Sequence, residues 1–189
     1  MLLAALASCL LELKAMGVQA RPGPRRGFAA APVTLTSPVR GVRFERPGDA
    51  DATLTVDCSL ALALARSADR LRDLGVEVVE WVSATSVRNI RGTHRLSRHS
   101  FGLALDVVAL RGPGGLRYTV VGDFERGTGL PDDCVGAPQT SGGRLLRTVI
   151  CSLESSGRFR RILDPDFDGD HWDHLHLEVA PPPRRPSRG

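Results

Sequence analysis

The chain has 189 residues, of which 42% are hydrophobic, and this length favours one domain with a single buried core over two domains. Its formal net charge of +4 comes almost wholly from arginine, which binds both carboxylates and phosphates. The sequence has no RNA-recognition aromatic signature, no zinc-finger Cys/His spacing and no glycine-rich phosphate loop. We therefore expect no nucleic-acid partner, and an anionic cell-wall polymer is the alternative that the charge allows.

Residues 1–19 are predicted to form a separate N-terminal segment. The first eleven residues are apolar like the hydrophobic region of a signal peptide, although they lack a basic start. Leu6-Ala7-Ser8-Cys9 resembles a lipoprotein cleavage box, so a lipid anchor is one interpretation and a first helix from Cys9 to Gly17 is the other. No stretch reaches the roughly 18 to 20 apolar residues that a membrane span needs, and no transmembrane segment is expected.

Residues 20–180 are predicted to form the folded domain, and residues 181–189 a disordered tail rich in proline and arginine. Hydrophobic periodicity and turn residues predict, in chain order, strands at 32–37 and 39–44, a helix at 57–74, strands at 76–82, 103–110 and 116–121, a helix at 144–155, and a closing strand at 175–180. Asp57 or Ser59 is predicted to cap the first of these helices, and Gly75 to end it. The pattern predicts an α+β fold in which helices pack on one face of a small, mostly antiparallel sheet.

The four cysteines lie far apart in the sequence and form no CxxC pair: Cys9, Cys58, Cys134 and Cys151. Metal binding by cysteine is therefore not expected. One or two disulfides in an oxidising compartment are expected instead, with all three full pairings open. The alternative is four buried free thiols in a cytosolic protein.

Four of the five histidines lie in two short clusters. His99 stands seven positions before Asp106, and three histidines fall within six consecutive positions near the C-terminus. There His174, His176 and Glu178 share one face of the predicted closing strand, because strand side chains alternate between two faces. Two imidazoles and one carboxylate make a three-ligand site that suits zinc and leaves a fourth position open for water.

Such a site predicts metal-assisted hydrolysis, because bound zinc lowers the pKa of a water to about 7. Asp173 and His174 are the candidate proton acceptors, and we favour His174 because it lies on the ligand face. An arginine of the polar loop at 83–100 would stabilise a developing oxyanion, and the candidates are Arg88, Arg91, Arg95 and Arg98. His171 is predicted to be a neighbour of the site and Glu178 to orient a ligand. The alternative is a polar cluster that holds no metal.

Two motifs resemble a known family. Ser97-x-His99-x-x-Gly102-x-Ala104-x-Asp106 and Asp173-His174-x-His176-Leu177-Glu178 are similar to the extensin-like C-terminal domain family of bacteria. That family is similar to the zinc D-Ala-D-Ala peptidases and murein endopeptidases, which share a fold of the hedgehog and D-Ala-D-Ala peptidase type. The resemblance implies His99, Asp106 and His176 as Zn²⁺ ligands, His174 or Asp173 as the base, and Arg88 as the group that assists the substrate carbonyl.

The resemblance implies a zinc-dependent hydrolase of amide bonds in peptidoglycan stem or cross-link peptides, located in the periplasm or outside the cell. A second interpretation is a non-catalytic cell-wall-binding module that keeps the fold and its zinc. A third is a metal-stabilised structural domain, in which His171 or His174 closes the site as a fourth ligand.

Overall fold

The computed structural model describes residues 2–49, 51–128, 134 and 137–181, and over these residues the fold is α+β. The described chain contains four helices, α1 Leu2–Ala15, α2 Cys58–Asp73, α3 Val120–Asp123 and α4 Ser141–Ser155. Its strands are β1 Ala20–Pro22, β2 Pro32–Leu35, β3 Arg43–Glu45, β4 Leu54–Asp57, β5 Val78–Ser83, β6 Ala104–Arg111, β7 Arg117–Thr119, β8 Arg161–Leu163 and β9 Leu175–Glu178. The predicted α+β class is confirmed.

The strands form two sheets, so the prediction of one small sheet is wrong. An antiparallel sheet has the order β1-β2-β4, and a larger sheet has the order β3-β5-β6-β9-β8, with β7 paired to the end of β6. Every pair is antiparallel except β3 with β5. The second sheet was not foreseen because β1, only three residues long, ends in a proline and lies in a segment that reads as a loop.

Helix α2 forms as its sequence predicts. The side chain of Asp57 accepts a hydrogen bond from the backbone N–H of Ser59 at 3.0 Å, which caps the helix. Its apolar stripe is buried, and Gly75 follows the helix with a φ of +80°. One apolar cavity is lined jointly by α2, α4 and the larger sheet, through Leu64, Leu71, Val149, Leu153, Val107, Leu175 and Leu177. Helices α2 and α4 therefore pack together on one face of that sheet.

The N-terminal segment packs on the domain. Helix α1 starts earlier than the predicted helix, its Cys9 and Leu13 belong to the buried core, and a disulfide joins Cys9 to Cys58 at the start of α2. None of the helices in the described chain is long and apolar enough to cross a membrane. The predicted disordered tail lies outside the described residues, apart from residue 181.

Cysteine pairing follows one of the three schemes that the sequence left open. Cys9 pairs with Cys58, and Cys134 pairs with Cys151 of α4. The predicted disulfides are thereby confirmed, and the alternative of four free thiols is wrong.

The strand predicted at 116–121 is a strand only at 117–119. Thr119 ends it by accepting a hydrogen bond from the N–H of Gly122 at 3.1 Å, and the carboxylate of Asp123 accepts one from the N–H of Thr119 at 2.7 Å. These caps start α3, because side-chain oxygens satisfy the first free N–H groups of a helix.

Candidate metal centre

His99 and Asp106 approach each other because a tight turn separates them. Residues Arg98–Phe101 form one 3₁₀ turn, capped by Ser97, and Gly102 ends the turn in the left-handed region with a φ of +66°. The chain then enters β6, and His99 Nε2 comes to lie 3.0 Å from Asp106 Oδ1. Gly102 therefore allows His99 and Asp106, which are seven positions apart in the sequence, to come into contact.

Gly102 is also tightly surrounded, so a side chain at this position is expected to destabilise the fold. A Cβ at this position would lie 2.7 Å from the backbone nitrogen of Asp57, whereas Gly114, with a similar φ of +70°, has nothing within 4 Å. Alanine at either position costs about 1–2 kcal/mol for the left-handed backbone. We expect Gly102→Ala to lower the free energy of unfolding clearly more than Gly114→Ala does, as measured by urea denaturation. Equal losses in the two variants would contradict this reading of the turn.

His176 joins the pair through strand pairing. Strands β6 and β9 are antiparallel, and Asp106 stands directly opposite His176 in their register. His176 Nδ1 lies 2.9 Å from Asp106 Oδ1 and 3.2 Å from His99 Nε2. Leu175 and Leu177, its neighbours on β9, are buried. The alternation predicted for this strand is therefore observed.

These three atoms form a triangle whose dimensions fit a metal ion. Its sides measure 3.0, 2.9 and 3.2 Å, close to the separation of about 3.3 Å between ligand atoms that zinc bonds of 2.0–2.1 Å give in a tetrahedral site. His99, Asp106 and His176 are each at most 7% exposed. The arrangement suits three ligands of one cation.

The outer nitrogens of both imidazoles face oxygen atoms. His99 Nδ1 lies 2.7 Å from the carbonyl oxygen of Ala84, which only accepts, so Nδ1 carries the proton and Nε2 offers a lone pair. His176 Nε2 faces Glu178 Oε2 at 3.8 Å, and this orientation leaves Nδ1 on the inner side. Outer partners of this kind fix the tautomer of metal-binding histidines. The donor set therefore fits zinc.

The electrostatics of the group agree with this arrangement. Burial opposes ionisation of Asp106, but the adjoining imidazoles of His176 and His99 outweigh it and hold the pKa of Asp106 well below its usual value. Burial lowers the pKa of His99, which favours its neutral, ligating form. Burial also acts to lower the pKa of His176, yet its contacts with Asp106 and Glu178 raise that pKa overall. A metal entering the group would displace a proton from His176.

The other predicted site residues lie beside this group. One terminal nitrogen of Arg88 donates to Asp106 Oδ2 at 2.9 Å, and the Arg88 side chain remains 46% exposed. His174 Nε2 lies 3.6 Å from Asp106 Oδ1, and His174 Nδ1 lies 2.8 Å from Asp173 Oδ1. All six residues predicted from the sequence are therefore brought together. Their individual roles stay predictions.

Several partners of the site were not predicted from the sequence. The carbonyl of Ala84 is a backbone group, and its contact with His99 has no signature in the residue type. Arg98 Nε donates to Glu178 Oε1 at 3.2 Å, which places one loop arginine on the carboxylate that His176 faces. Asp168 Oδ1 lies 2.6 Å from His171 Nδ1. The one signal in the sequence for this contact was that Asp168 stands three positions before His171.

A closed four-ligand site is not favoured by the geometry. Among the described residues, His99, Asp106 and His176 form one group whose ligand atoms all lie within 4.8 Å of one another, and no fourth residue belongs to it. His171 and His174 belong to a second such group, with His176 as the shared member. The first group therefore offers three candidate ligands, the number that catalytic zinc sites take from the protein, whereas structural zinc sites take four.

Comparison with known proteins gives one match. A protein-family model described as Extensin-like protein C-terminus matches residues 7–185. No curated protein and no solved structure matches the chain. The predicted likeness to the zinc D-Ala-D-Ala peptidases thus has no support beyond the motifs themselves, while the family match covers the turn with His99, strand β6 and strand β9. The chain belongs to the extensin-like protein C-terminus family.

Proposed function

We propose that the protein is a zinc-dependent hydrolase of amide bonds in the stem or cross-link peptides of peptidoglycan. The observation that carries the proposal is the buried triangle of His99, Asp106 and His176, bordered by the His174–Asp173 pair. The substrate class rests on the motif resemblance to murein peptidases. The two disulfides support a periplasmic or extracellular location, where such a substrate lies.

His99, Asp106 and His176 would hold the metal. When bound, zinc would polarise the substrate carbonyl and lower the pKa of a water. Arg88 holds the second oxygen of Asp106, so that Oδ1 alone faces the two imidazoles. The backbone of Arg88 is itself fixed to the turn of His99, because its N–H donates to Ser100 Oγ at 3.0 Å and its carbonyl accepts from the same hydroxyl at 2.9 Å.

His174 has the orientation that a proton acceptor needs. The Asp173 carboxylate only accepts hydrogen bonds, so His174 Nδ1 carries the proton and Nε2, on the side of Asp106, has a free lone pair. In hydrolysis, Nε2 would take a proton from the water that attacks the carbonyl carbon. It would then pass that proton to the amide nitrogen as the C–N bond breaks, which releases an amine and a carboxylic acid.

Arg88 is the group best placed to contact the carbonyl oxygen. Its guanidinium has five donor N–H groups, only one terminal nitrogen is engaged with Asp106, and nearly half of the side chain is exposed. A second role of this arginine, as a binder of a substrate carboxylate, would use the same exposed donors.

The proposal is tested by incubating the full chain, loaded with zinc, with purified sacculi and with a synthetic stem pentapeptide. Liquid chromatography with mass spectrometry would detect the new amine and acid products. We expect fragments that disappear after chelation and return when zinc is restored. Zinc-loaded protein that binds sacculi without releasing fragments would refute hydrolysis and favour the cell-wall-binding module.

A further inference from the structure

The histidines at the entrance of the site form a group of their own. His171, His174 and His176 each present one ligand atom, and these atoms lie within 4.8 Å of one another. The ring centroid of His171 lies 5.1 Å from that of His174 and 5.5 Å from that of His176. The side chains of His171 and His174 are each 16% exposed, so a cation from solvent can reach them. Three converging imidazoles suit zinc, copper and nickel.

From this group we infer that His171 and His174, next to His176, form a second and weaker zinc site at the mouth of the first. Neither His171 nor His174 is among the ligands that the motif resemblance implies. The inference rests on the proposed function only for its consequence on hydrolysis, because the binding of a second ion does not depend on turnover.

The ring of His171 is held in the orientation of a ligand. Asp168 Oδ1 lies 2.6 Å from His171 Nδ1 and also accepts hydrogen bonds from the backbone N–H groups of Asp170 and His171 at 2.9 and 3.1 Å. Because a carboxylate only accepts, the proton stays on Nδ1 and His171 Nε2 keeps a lone pair. The ring of Phe167 packs edge-on against this imidazole at 5.8 Å between centroids.

His174 is held in the same way by Asp173. Both imidazoles thus carry an outer carboxylate, the kind of partner that fixes the tautomer and the ring orientation of a metal-binding histidine. The two carboxylates also supply negative charge beside the entering cation.

The second site is the weaker one because it shares His176 with the first. His176 belongs to both groups, and its Nδ1 lies in the buried triangle with His99 and Asp106. Once the first ion has engaged that nitrogen, a second ion depends on His171, His174 and water. Binding of the second ion would occupy the lone pair of His174 Nε2. Excess zinc would therefore inhibit the proposed hydrolysis by removing its proton acceptor.

The test is a zinc titration of the metal-free full chain with a competing chromophoric chelator. We expect wild type to bind two equivalents in two separated phases. His171→Ala should bind only the tight equivalent, and His99→Ala only the weak one. The matched control is His94→Ala, since His94 is exposed in the loop and belongs to neither group; it should still bind two. Asp168→Ala, which keeps all histidines, should weaken the second phase by about 10- to 100-fold.

Saturation of wild type at one equivalent would overturn the inference, as would two equivalents in His171→Ala with an unchanged weak phase. Circular dichroism of each variant verifies the fold, and Asp168→Ala provides the measurement if His171→Ala does not fold. Failure of the proposed function gives a different result: two zinc ions bind, and no peptide is released. Loss of the tight phase alone would count against the first site and leave the second in place.

Discussion

Replacement of His176 by alanine is expected to remove the tightly bound zinc and to lower hydrolysis by more than the roughly 10- to 100-fold that loss of an outer partner costs. The imidazole is at the centre of the site, since its Nδ1 lies 2.9 Å from Asp106 and 3.2 Å from His99. Without it, one carboxylate and one imidazole remain in the first group. Zinc content by elemental analysis and peptide release by mass spectrometry are the two measurements.

The fold of this variant must be controlled, because Asp106 is buried and loses a hydrogen-bond partner. A hydrogen bond to a charged group contributes about 1.5–3 kcal/mol, so a lower melting temperature is expected alongside the loss of metal. His94→Ala removes an imidazole from the exposed loop and should change neither property. Tight zinc binding by folded His176→Ala protein would show that the triangle is not the metal centre.

The elements that bring the site together were predictable because their patterns repeat. Strand β9 shows apolar alternation, β6 is an apolar run interrupted by Asp106, and their antiparallel pairing puts Asp106 opposite His176. The register of that pairing cannot be read from the alternation, since a shift of two residues keeps the same faces in the core. The motif spacing predicts which residues come into contact, and the observed register of β6 and β9 gives the geometry of that contact.

The sequence predicts a strand where β2 lies, but the other two strands of the small sheet β1-β2-β4 were missed for a physical reason. Strand β1 has only three residues, and all four residues of β4 are buried. A strand buried on both faces has no polar alternation to detect. The pairing of β2 with β4 is decided by contacts distant in sequence, including the hydroxyl pair of Thr34 and Thr55 at 2.8 Å.

Within the site, the residue types could be predicted from the sequence, but the contacts that each of them makes could not. The sequence offered four loop arginines without distinguishing them. In the structure, three of these arginines have different partners. Arg88 contacts Asp106, Arg98 contacts Glu178, and Arg91 contacts Asp170 at 2.7 Å. Each role depends on where the loop crosses the sheet. That path is fixed by buried groups such as the Ser100 hydroxyl, which bonds to the backbone of residue 88.

Replacement of His174 by alanine is expected to lower the rate of hydrolysis by about 10²- to 10⁴-fold, the usual contribution of a general base, while the tight zinc stays bound. His174 is outside the group of atoms that would hold that ion, and its Nε2 lies 3.6 Å from Asp106 Oδ1. The assay should contain one equivalent of zinc per chain, so that the second site remains empty in both proteins. Single-turnover peptide release and zinc stoichiometry are measured on the same samples.

Asp173→Ala separates the two candidates for the base. If Asp173 only orients the imidazole through its 2.8 Å contact with His174 Nδ1, its loss should cost about 10- to 100-fold, less than the loss of His174. A larger effect from Asp173→Ala than from His174→Ala would assign the proton transfer to the carboxylate. Loss of the tight zinc from His174→Ala would instead make this histidine a ligand and the site closed. The open position on which hydrolysis depends would then not exist, so this measurement separates the catalytic from the structural interpretation.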